Sequence, residues 1–188
     1  MYFILGASGS GKSTVISDLK RLLPNFEIND FDDIGVPEYP DKKWRQEATE
    51  AWANKYINTG LERRGCLVGQ MVLGEILACP SVKKMTEIHV CFLDCSDLIR
   101  IERLKNRGAY GADQSTLNWA SWLRVHHQDP SWMPHVIKEN ASPILDFSLW
   151  PEDLKSWKSL ADVDLLDTSF MSVEEVSEYL KNWILQSQ

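Results

Sequence analysis

The sequence has 188 residues, of which 44% are hydrophobic and 25% charged, and its formal net charge is −7. Its length and composition are those of one compact globular domain with a sizeable core, and the acidic balance disfavours a general nucleic-acid-binding protein, because phosphate neutralisation needs a basic surface. No apolar run is long enough to span a bilayer.

Along the chain, short apolar runs alternate with helical patterns, which is typical of βαβ units and a parallel sheet. The runs predict strands at residues 2–5, 26–29, 66–69, 88–93 and 163–166. The helical patterns cover residues 11–23, 43–63, 72–79 and 97–107, and a final helix runs from the capping box of Ser172 and Glu175 to about residue 185. Between Gly108 and Ala161, where prolines interrupt the pattern, we expect short helices and loops over the sheet edge. These elements predict a single α/β domain over residues 1–188.

The most specific motif follows the first predicted strand and matches the phosphate-binding (Walker A) pattern G-x-x-x-x-G-K-[ST]. It consists of Gly6, Ala7, Ser8, Gly9, Ser10, Gly11, Lys12 and Ser13, followed by Thr14. Its glycines let backbone N–H groups turn inward around a phosphate, and the helix that starts at Gly11 directs its positive end at the same anion. Lys12 adds a charge at the β- and γ-phosphates, and the Ser13 hydroxyl can hold Mg²⁺. We therefore expect ATP to bind at residues 6–14.

With this loop and this order of elements, the chain resembles the small P-loop kinases, namely the adenylate, shikimate and gluconate kinases and the polynucleotide-kinase-like phosphotransferases. The resemblance covers nearly the whole chain in element order, and the loop is its highly specific part. It implies a P-loop NTPase fold of three α/β/α layers around a five-stranded parallel sheet. It also implies ATP with Mg²⁺ and a mobile lid after the fourth strand, at about residues 108–160.

Three aspartates, Asp30, Asp32 and Asp33, follow the second predicted strand. In the kinases that the chain resembles, this strand end lies beside the phosphate loop and faces the acceptor, where cations make crowded carboxylates tolerable. Asp30-Phe31-Asp32 resembles the D-x-D of shikimate kinases, in which one acid supports Mg²⁺ and the other approaches the acceptor hydroxyl. Asp32-Asp33 resembles the DD of polynucleotide kinases, in which the first acid is the base. The alternative is an aspartate-rich turn with one carboxylate as an N-cap.

Both alignments place Asp32 at the acceptor, although the division of roles among the three acids stays open. The third strand ends without an acid, and Asp94 at the end of the fourth is expected far from the metal. The metal-side carboxylate therefore comes from the aspartate cluster, and we assign Asp30 to it, beside the Ser13 hydroxyl. Asp33 and Gln70, which follows the third strand, are further candidates for substrate contact.

The arginines after the fourth strand resemble the entry to a kinase lid. Residues 103–108, with the sequence RLKNRG, are similar to the R-L-x-x-R of gluconate and adenylate kinases, whose arginines stabilise charge on the transferring phosphoryl group. We expect Arg103 and Arg107 to have this role. The alternative is a solvated basic face that they share with Arg100. Arg124 could swing in when the lid closes.

Two further stretches are candidates for ligand contact. Residues 167–170, after the fifth strand, match the place of the adenine loop in adenylate kinases. The irregular segment contains the tryptophans Trp119, Trp122, Trp132 and Trp150. They could form an aromatic wall for a sugar, base or nucleoside, but a core beneath a loop-rich cap is the favoured interpretation.

The chemistry of the acceptor decides between two kinds of kinase. Transfer to an alcohol gains from a carboxylate that accepts the hydroxyl proton, whereas a nucleoside monophosphate kinase binds an anionic acceptor with arginines, for which Arg45, Arg63 and Arg64 are available. The sequence therefore predicts a kinase that moves the γ-phosphoryl of ATP·Mg²⁺ to a hydroxyl of a small molecule. The alternatives are a nucleoside monophosphate kinase, a polynucleotide 5′-hydroxyl kinase, and a nucleotide-binding ATPase or switch without a small acceptor.

The chain start and the cysteines indicate the compartment. Residues 1–6 lack a charged region and are too short an apolar stretch for a signal peptide. The cysteines are Cys66, Cys79, Cys91 and Cys95. They form no CxxC pair, so reduced, mostly buried thiols are expected rather than disulfides or a zinc site. We therefore expect a cytoplasmic protein.

Overall fold

Five parallel strands form one sheet in the computed structural model, which describes residues 1–61, 64–108, 111–150 and 161–187. The strands are β1 (Tyr2–Leu5), β2 (Glu27–Asp30), β3 (Gly65–Gly69), β4 (His89–Asp94) and β5 (Asp162–Asp167). The helices in these ranges are α1 (Lys12–Leu22), α2 (Lys42–Thr59), α3 (Leu73–Leu77), α4 (Asp97–Asn106), α5 (Gln114–His126), α6 (His135–Lys138) and α7 (Val173–Gln186). Turns of 3₁₀ helix lie at Phe31–Ile34, Val82–Lys84 and Phe147–Leu149.

The strand order β2-β3-β1-β4-β5 brings the carboxyl ends of β1, β2 and β3 together. Leu5 at the end of β1 is level with Gly69 of β3 and with Phe92 of β4. Ligands bind in open α/β sheets at the carboxyl ends of the strands, where the strand order changes direction. The phosphate loop after β1, the aspartates after β2 and Gln70 after β3 therefore border the same crevice.

Side chains alternate between the two faces of the sheet, and each face has its own core. Phe3 and Leu5 of β1 pack with apolar residues of α2, α3, α5 and α6. Tyr2 and Ile4 of the same strand pack with residues of α1 and α7. Helices thus cover both faces, and the predicted three-layer α/β/α arrangement around a five-stranded parallel sheet is confirmed.

Helix α2 ends earlier than the sequence predicted. Gly60 adopts a left-handed φ of 66° after Thr59, and this conformation closes the helix. Arg63, the predicted end of the helix, lies outside the described residues. None of the helices in the described ranges combines the length and the apolar character needed to cross a membrane.

The segment after β4 contains a longer helix than expected, and this helix lies on a face of the sheet rather than over its edge. Helix α5 has 13 residues, and its side chains Ala120, Trp122 and Leu123 are buried in the same core as Phe92. The ring of His127 stacks on that of Phe92, with 4.3 Å between centroids. The prediction of short elements over the sheet edge was wrong for this helix, because its apolar stripe packs on a face of the sheet.

Helix α2 also fixes the position of the segment that contains α6. Gln46 is fully buried, and its Nε2 donates a hydrogen bond to the Ile137 carbonyl at 3.0 Å. Its Oε1 accepts one from the backbone N–H of Ser142 at 2.7 Å. Lys42 Nζ adds a hydrogen bond to the Val136 carbonyl at 3.3 Å. These bonds join residues that are far apart in the sequence.

The four cysteines are buried and unbridged, as the sequence predicted. Burial raises the pKa of the Cys66 thiol to about 12, and burial also raises the pKa of the other three thiols. The thiols are therefore protonated at neutral pH and behave as small apolar side chains of the core.

Candidate active site

In the loop between β1 and α1, the backbone conformation favours glycine at positions 9 and 11, and steric contact also favours it at position 9. Gly9 has a φ of +80°, and a Cβ atom there would lie 3.0 Å from Arg100 Cγ. Gly11 has a φ of +94° and is the N-cap of α1. Since α1 begins at Lys12, the positive end of its dipole faces the loop. The predicted phosphate cradle thus has the geometry that an anion needs.

Lys12 lacks a carboxylate partner at hydrogen-bond distance in the described residues. Its Nζ donates a hydrogen bond to the Ala7 carbonyl at 2.9 Å. Burial, and then the charge of Arg100, lower the pKa of Lys12 to about 7, against the opposing influence of Asp30 and Asp32. A phosphate bound at this point would supply the missing negative charge.

A cavity of about 160 Å³ lies between the loop and the strand ends. Its lining residues are Ser8, Gly9, Gly11, Lys12, Ser13, Ile16, Asp30, Asp32, Val68, Gly69, Gln70 and Arg107. We call it the phosphate cavity. It brings together many of the predicted site residues from four different parts of the chain. The predicted residues that do not line it are Gly6, Ala7, Ser10, Thr14, Asp33, Arg103 and Arg124.

The three aspartates have different roles in the turn Phe31–Ile34. Asp30 is its N-cap, with Oδ1 accepting a hydrogen bond from the backbone N–H of Asp32 at 3.1 Å. Asp33 completes the capping box, with Oδ2 accepting from the backbone N–H of Asp30 at 3.3 Å. The alternative interpretation of a capped, aspartate-rich turn therefore holds for Asp30 and Asp33. The carboxylate of Asp32 takes no part in the cap, and Asp32 lines the phosphate cavity together with Asp30.

The carboxyl group of Asp32 is perturbed by its surroundings. Partial desolvation and, after it, repulsion from Asp30 raise the pKa of Asp32, and the charge of Lys12 counteracts this rise. A carboxylate with a raised pKa, close to a lysine with a lowered one, is a frequent arrangement in catalytic sites. The pair is the electrostatic centre of the cavity.

The aspartate turn is held against β3 by aromatic packing. Phe31 is almost fully buried, and its carbonyl accepts a hydrogen bond from Trp52 Nε1 at 2.9 Å. A side chain on Gly69 would collide with Phe31, so the glycine allows the turn to approach the strand. Gln70 directly follows Gly69, and its Oε1 accepts a hydrogen bond from Ser8 Oγ at 3.1 Å. These contacts fix the aspartate turn against β3 and Gln70 against the phosphate loop.

A second cavity, of about 400 Å³, lies on the other side of the phosphate loop. Three parts of the chain line it. They are residues 9–11 and 13–15 of the phosphate loop and α1, Arg103, Asn106 and Arg107 from the end of α4, and Thr168 with residues 171–173 and 176 after β5. We call it the second cavity. Arg107 lines both cavities. Thr168 belongs to the stretch predicted as an adenine loop, so the two cavities together suit a phosphate chain and an attached base.

Two of the predicted arginines are engaged in the structure. Arg103 donates hydrogen bonds to the carbonyls of Gly9 and Thr168 at 3.3 and 2.6 Å. Arg124 forms ion pairs with Asp94 and, at 3.4 Å, with Asp97. Reaching a phosphoryl group would require Arg124 to leave these carboxylates, so its predicted role depends on a movement.

Arg100 is the functional residue that the sequence did not separate from its neighbours. It is fully buried. Its Nη1 donates to the Ser8 carbonyl at 2.5 Å and its Nη2 to Asp94 Oδ1 at 2.6 Å. The basic-face interpretation is therefore wrong for Arg100, which anchors the phosphate loop to the end of β4. The helical spacing that it shares with Arg103 and Arg107 contains no signal for this contact.

The aromatic residues of the segment after Gly108 mostly belong to the core. Trp119 stacks on Trp122, and Trp122 stacks on His126, with ring centroids 5.2 and 4.7 Å apart. Trp150 is also buried, whereas Trp132 is 41% exposed. Burial lowers the pKa of His126 to about 2, so the ring is neutral. The interpretation as core beneath a cap therefore holds for three of the four tryptophans.

The oxygen donors of the phosphate cavity are of the kind that Mg²⁺ prefers. In the described ranges, no three or more His, Cys, Asp or Glu side chains are arranged to hold a metal ion by themselves. Magnesium in nucleotide sites needs fewer protein ligands, because waters and phosphate oxygens complete its octahedron. The Ser13 hydroxyl and the carboxylates of Asp30 and Asp32 meet this requirement.

Comparisons with known proteins identify a family model and a fold. The model described as AAA domain matches residues 3–117. A sugar kinase from Janibacter sp. HTCC2649 has a TM-score of 0.59 at 14% identity, over 97% of this chain and 92% of that chain. A shikimate kinase from Acinetobacter baumannii, solved with shikimate, has a TM-score of 0.51 at 15% identity, over 100% and 93%. The comparison with curated proteins found no match. The chain thus has the fold of the small P-loop kinases, as the sequence predicted.

Proposed function

This chain belongs to the AAA domain family, and we propose that within it the protein is a kinase that transfers the γ-phosphoryl group of ATP to a hydroxyl of a small molecule. The observation that carries the proposal is the position of Asp32. Its carboxylate lines the phosphate cavity with Lys12 and Ser13. Unlike the carboxylates of Asp30 and Asp33, it takes no part in capping the turn.

Asp32 is proposed to be the general base of the reaction. The hydroxyl oxygen of the acceptor attacks the γ-phosphorus while the hydroxyl proton passes to Asp32. The new O–P bond forms as the bond from the γ-phosphorus to the β–γ bridging oxygen breaks, and ADP leaves with that electron pair. A raised pKa suits this role, because a base is most effective when its pKa lies near the working pH.

The positive groups of the site are proposed to bind the phosphates and to balance their charge. Lys12 and the start of α1 hold the phosphates in the cradle. Arg107 lines both cavities and is placed to meet the transferring group. Arg103 shapes the wall of the second cavity through Thr168. Arg124 would join the site only after release from Asp94.

Magnesium is proposed as the accompanying ion, held by the Ser13 hydroxyl and the Asp30 carboxylate. When bound, it neutralises charge on the β- and γ-phosphate oxygens. Asp30 Oδ1 accepts a hydrogen bond from the backbone N–H of Asp32. A carboxylate has enough lone pairs to accept this hydrogen bond and also to coordinate a magnesium ion. Asp30 therefore connects the position of the metal to the position of the base.

A coupled assay of ADP release tests the proposal. Alcohols, sugars, nucleosides, nucleoside monophosphates and nucleic-acid ends are offered with ATP and Mg²⁺, and ³¹P NMR identifies the phosphorylated product. We expect release that saturates with a hydroxyl acceptor and is lost in Lys12→Ala, while circular dichroism shows an unchanged fold. ADP release at the same rate without any acceptor would identify an ATPase, and a nucleoside monophosphate as the best acceptor would identify a nucleotide kinase.

A further inference from the structure

We propose that the acceptor is an uncharged polyhydroxy compound, such as a polyol, a sugar or a nucleoside, without a carboxylate or a phosphate. This proposal rests on the proposed kinase function and narrows its substrate class. It follows from the cations and carboxylates that line the phosphate cavity and from the ion pairs that other arginines already form within the protein.

The arginine of α2 is already neutralised by a carboxylate. Helix α2 packs against the aspartate turn, with the rings of Trp44 and Phe31 5.7 Å apart. The next residue, Arg45, donates from Nε to Glu75 Oε2 at 2.8 Å and from Nη2 to Glu75 Oε1 at 2.7 Å. This is the bidentate geometry that arginine would otherwise offer to the carboxylate or phosphate of an acceptor. The group best suited to anion recognition is therefore committed within the protein.

The pair is built so that Arg45 stays in place. Glu75 is fully buried, and its Oε1 also accepts a hydrogen bond from Gln46 Nε2 at 2.9 Å. The guanidinium lies over the ring of Trp119, 5.0 Å from its centroid. If Arg45 turned to an external anion, it would leave a desolvated carboxylate without its counter-charge, which is strongly unfavourable.

Two further arginines near the strand ends, Arg100 and Arg124, are also paired with carboxylates. Arg100 and Arg124 share the carboxylate of Asp94, and Arg124 reaches Asp97 as well. Of the described cations, Lys12 and Arg107 line the phosphate cavity. Both are needed for the phosphates of the nucleotide. An anionic acceptor would therefore find no further cation in this lining.

The acceptor side offers groups that match hydroxyls. Asp30 and Asp32 supply carboxylate oxygens to the cavity. Gln70 uses its Oε1 on Ser8, and its NH₂ group makes no hydrogen bond to any residue that the structure describes. Hydroxyl groups donate to carboxylates and accept from an amide, whereas an anionic acceptor would be repelled by the carboxylate of Asp32, which is not assigned to the magnesium ion.

Matched acceptor pairs test the inference. Each pair differs by one anionic group: a hexitol or aldohexose against the aldonate of the same carbon number, and a nucleoside against its monophosphate. We measure kcat/KM for each member at saturating ATP by ADP release. The neutral member should exceed the charged one by at least about tenfold. An equal or better charged member would overturn the inference, whereas no acceptor-dependent release with any compound would overturn the kinase function itself.

Two variants then test the role of the ion pair. Glu75→Gln keeps the shape but frees the charge of Arg45, so kcat/KM for the charged member should rise relative to the neutral one. Glu102→Gln, the same charge change at an exposed position of α4, should leave that ratio unaltered. An unshifted ratio in Glu75→Gln would contradict the inference.

The double variant Arg45→Met/Glu75→Leu is the test if Glu75→Gln does not fold. Replacing both partners of a buried ion pair by apolar residues is better tolerated than removing one partner. Turnover of the neutral acceptor should stay within about threefold of the parent, since the pair does not contact the substrate. A loss beyond about tenfold in a folded protein would show that Arg45 binds the acceptor, and would overturn the inference.

Discussion

Arg103 donates two hydrogen bonds to Thr168, from Nη1 to the hydroxyl at 3.0 Å and from Nη2 to the carbonyl at 2.6 Å. The Thr168 hydroxyl in turn donates to the carbonyl of either Ser10 or Asp94, each 3.0 Å away. The loop after β5 is thus tied to the phosphate loop both by Arg103, which also donates to the Gly9 carbonyl, and by the Thr168 hydroxyl itself. This arrangement separates Arg103 from Arg107, although the sequence predicted the same role for both.

Arg103→Ala should therefore weaken nucleotide binding more than it slows the chemical step. We expect KM for ATP to rise about tenfold with a small change in kcat, because the wall of the second cavity loses its support. Arg107→Ala should show the opposite pattern and lower kcat. Steady-state kinetics of both variants distinguish these outcomes, with Lys105→Ala on the exposed side of α4 as the control. A matching fall in kcat for both arginines would restore the original prediction.

Lys12 should link nucleotide binding to proton uptake. In the free protein its pKa is lowered to about 7, and a bound phosphate raises it again, so above pH 7 binding takes up a proton and affinity falls as the pH rises. Below pH 7 the lysine is already charged, and the uptake should vanish. Calorimetric titrations at pH 6 and pH 8, in buffers of different ionisation enthalpy, measure it. The Lys12→Met variant is the control, because it reports the protons that ATP itself binds or releases. Equal proton uptake in the variant and the parent would disprove the link between Lys12 and nucleotide binding.

Asp32→Asn should lower kcat by roughly 10²–10⁴, the usual contribution of a general base. Nucleotide affinity should change little, because the cradle holds the phosphates independently. In the parent, kcat/KM should fall as the pH drops through the raised pKa of Asp32, since the protonated group cannot accept a proton. Asp33→Asn is the matched control: it weakens a cap, at a cost of about 1 kcal/mol or less in the free energy of unfolding, with kcat retained. A near-normal kcat in Asp32→Asn would argue for a nucleotide kinase.

Asp30→Asn should impair activity in a way that magnesium partly repairs. The amide keeps a hydrogen-bond acceptor for the backbone of Asp32 but is a weaker ligand for a hard cation. We expect the magnesium concentration that gives half-maximal rate to rise, and kcat to recover at high magnesium. Titrations of Mg²⁺ at a fixed total concentration of ATP measure this shift. An unrepaired loss, with an unchanged magnesium dependence, would assign Asp30 to the turn alone.

Most of the fold could be predicted because its signals are local. The apolar runs of the strands, the glycines of the phosphate loop and the capping box at Ser172 each act within a few residues. Helix α5 also carries a local signal, since Trp119, Trp122, Leu123 and His126 follow helical spacing. Surrounding prolines and polar residues obscured it, and its packing against the sheet depends on contacts across the chain.

The site could be predicted only in part, because sequence does not state which groups are paired. The carboxylates of Asp32 and Asp33 are adjacent and chemically alike, and only the geometry of the turn separates a cavity-lining acid from a capping one. Arg45 was available for an anion in the sequence, yet Glu75, distant in the chain, occupies it. Such pairings depend on tertiary structure, and no periodicity reports them.

The hydrogen bonds of Gln46 to Ile137 and Ser142 have a mechanical consequence. They make residues 136–142 a part of the rigid body that includes α2, although the sequence assigned this stretch to a mobile lid. Any hinge for closure over a nucleotide therefore lies outside residues 136–142. Amide hydrogen exchange should be slow at Ser142 with and without ATP, because its N–H group donates to the buried side chain of Gln46.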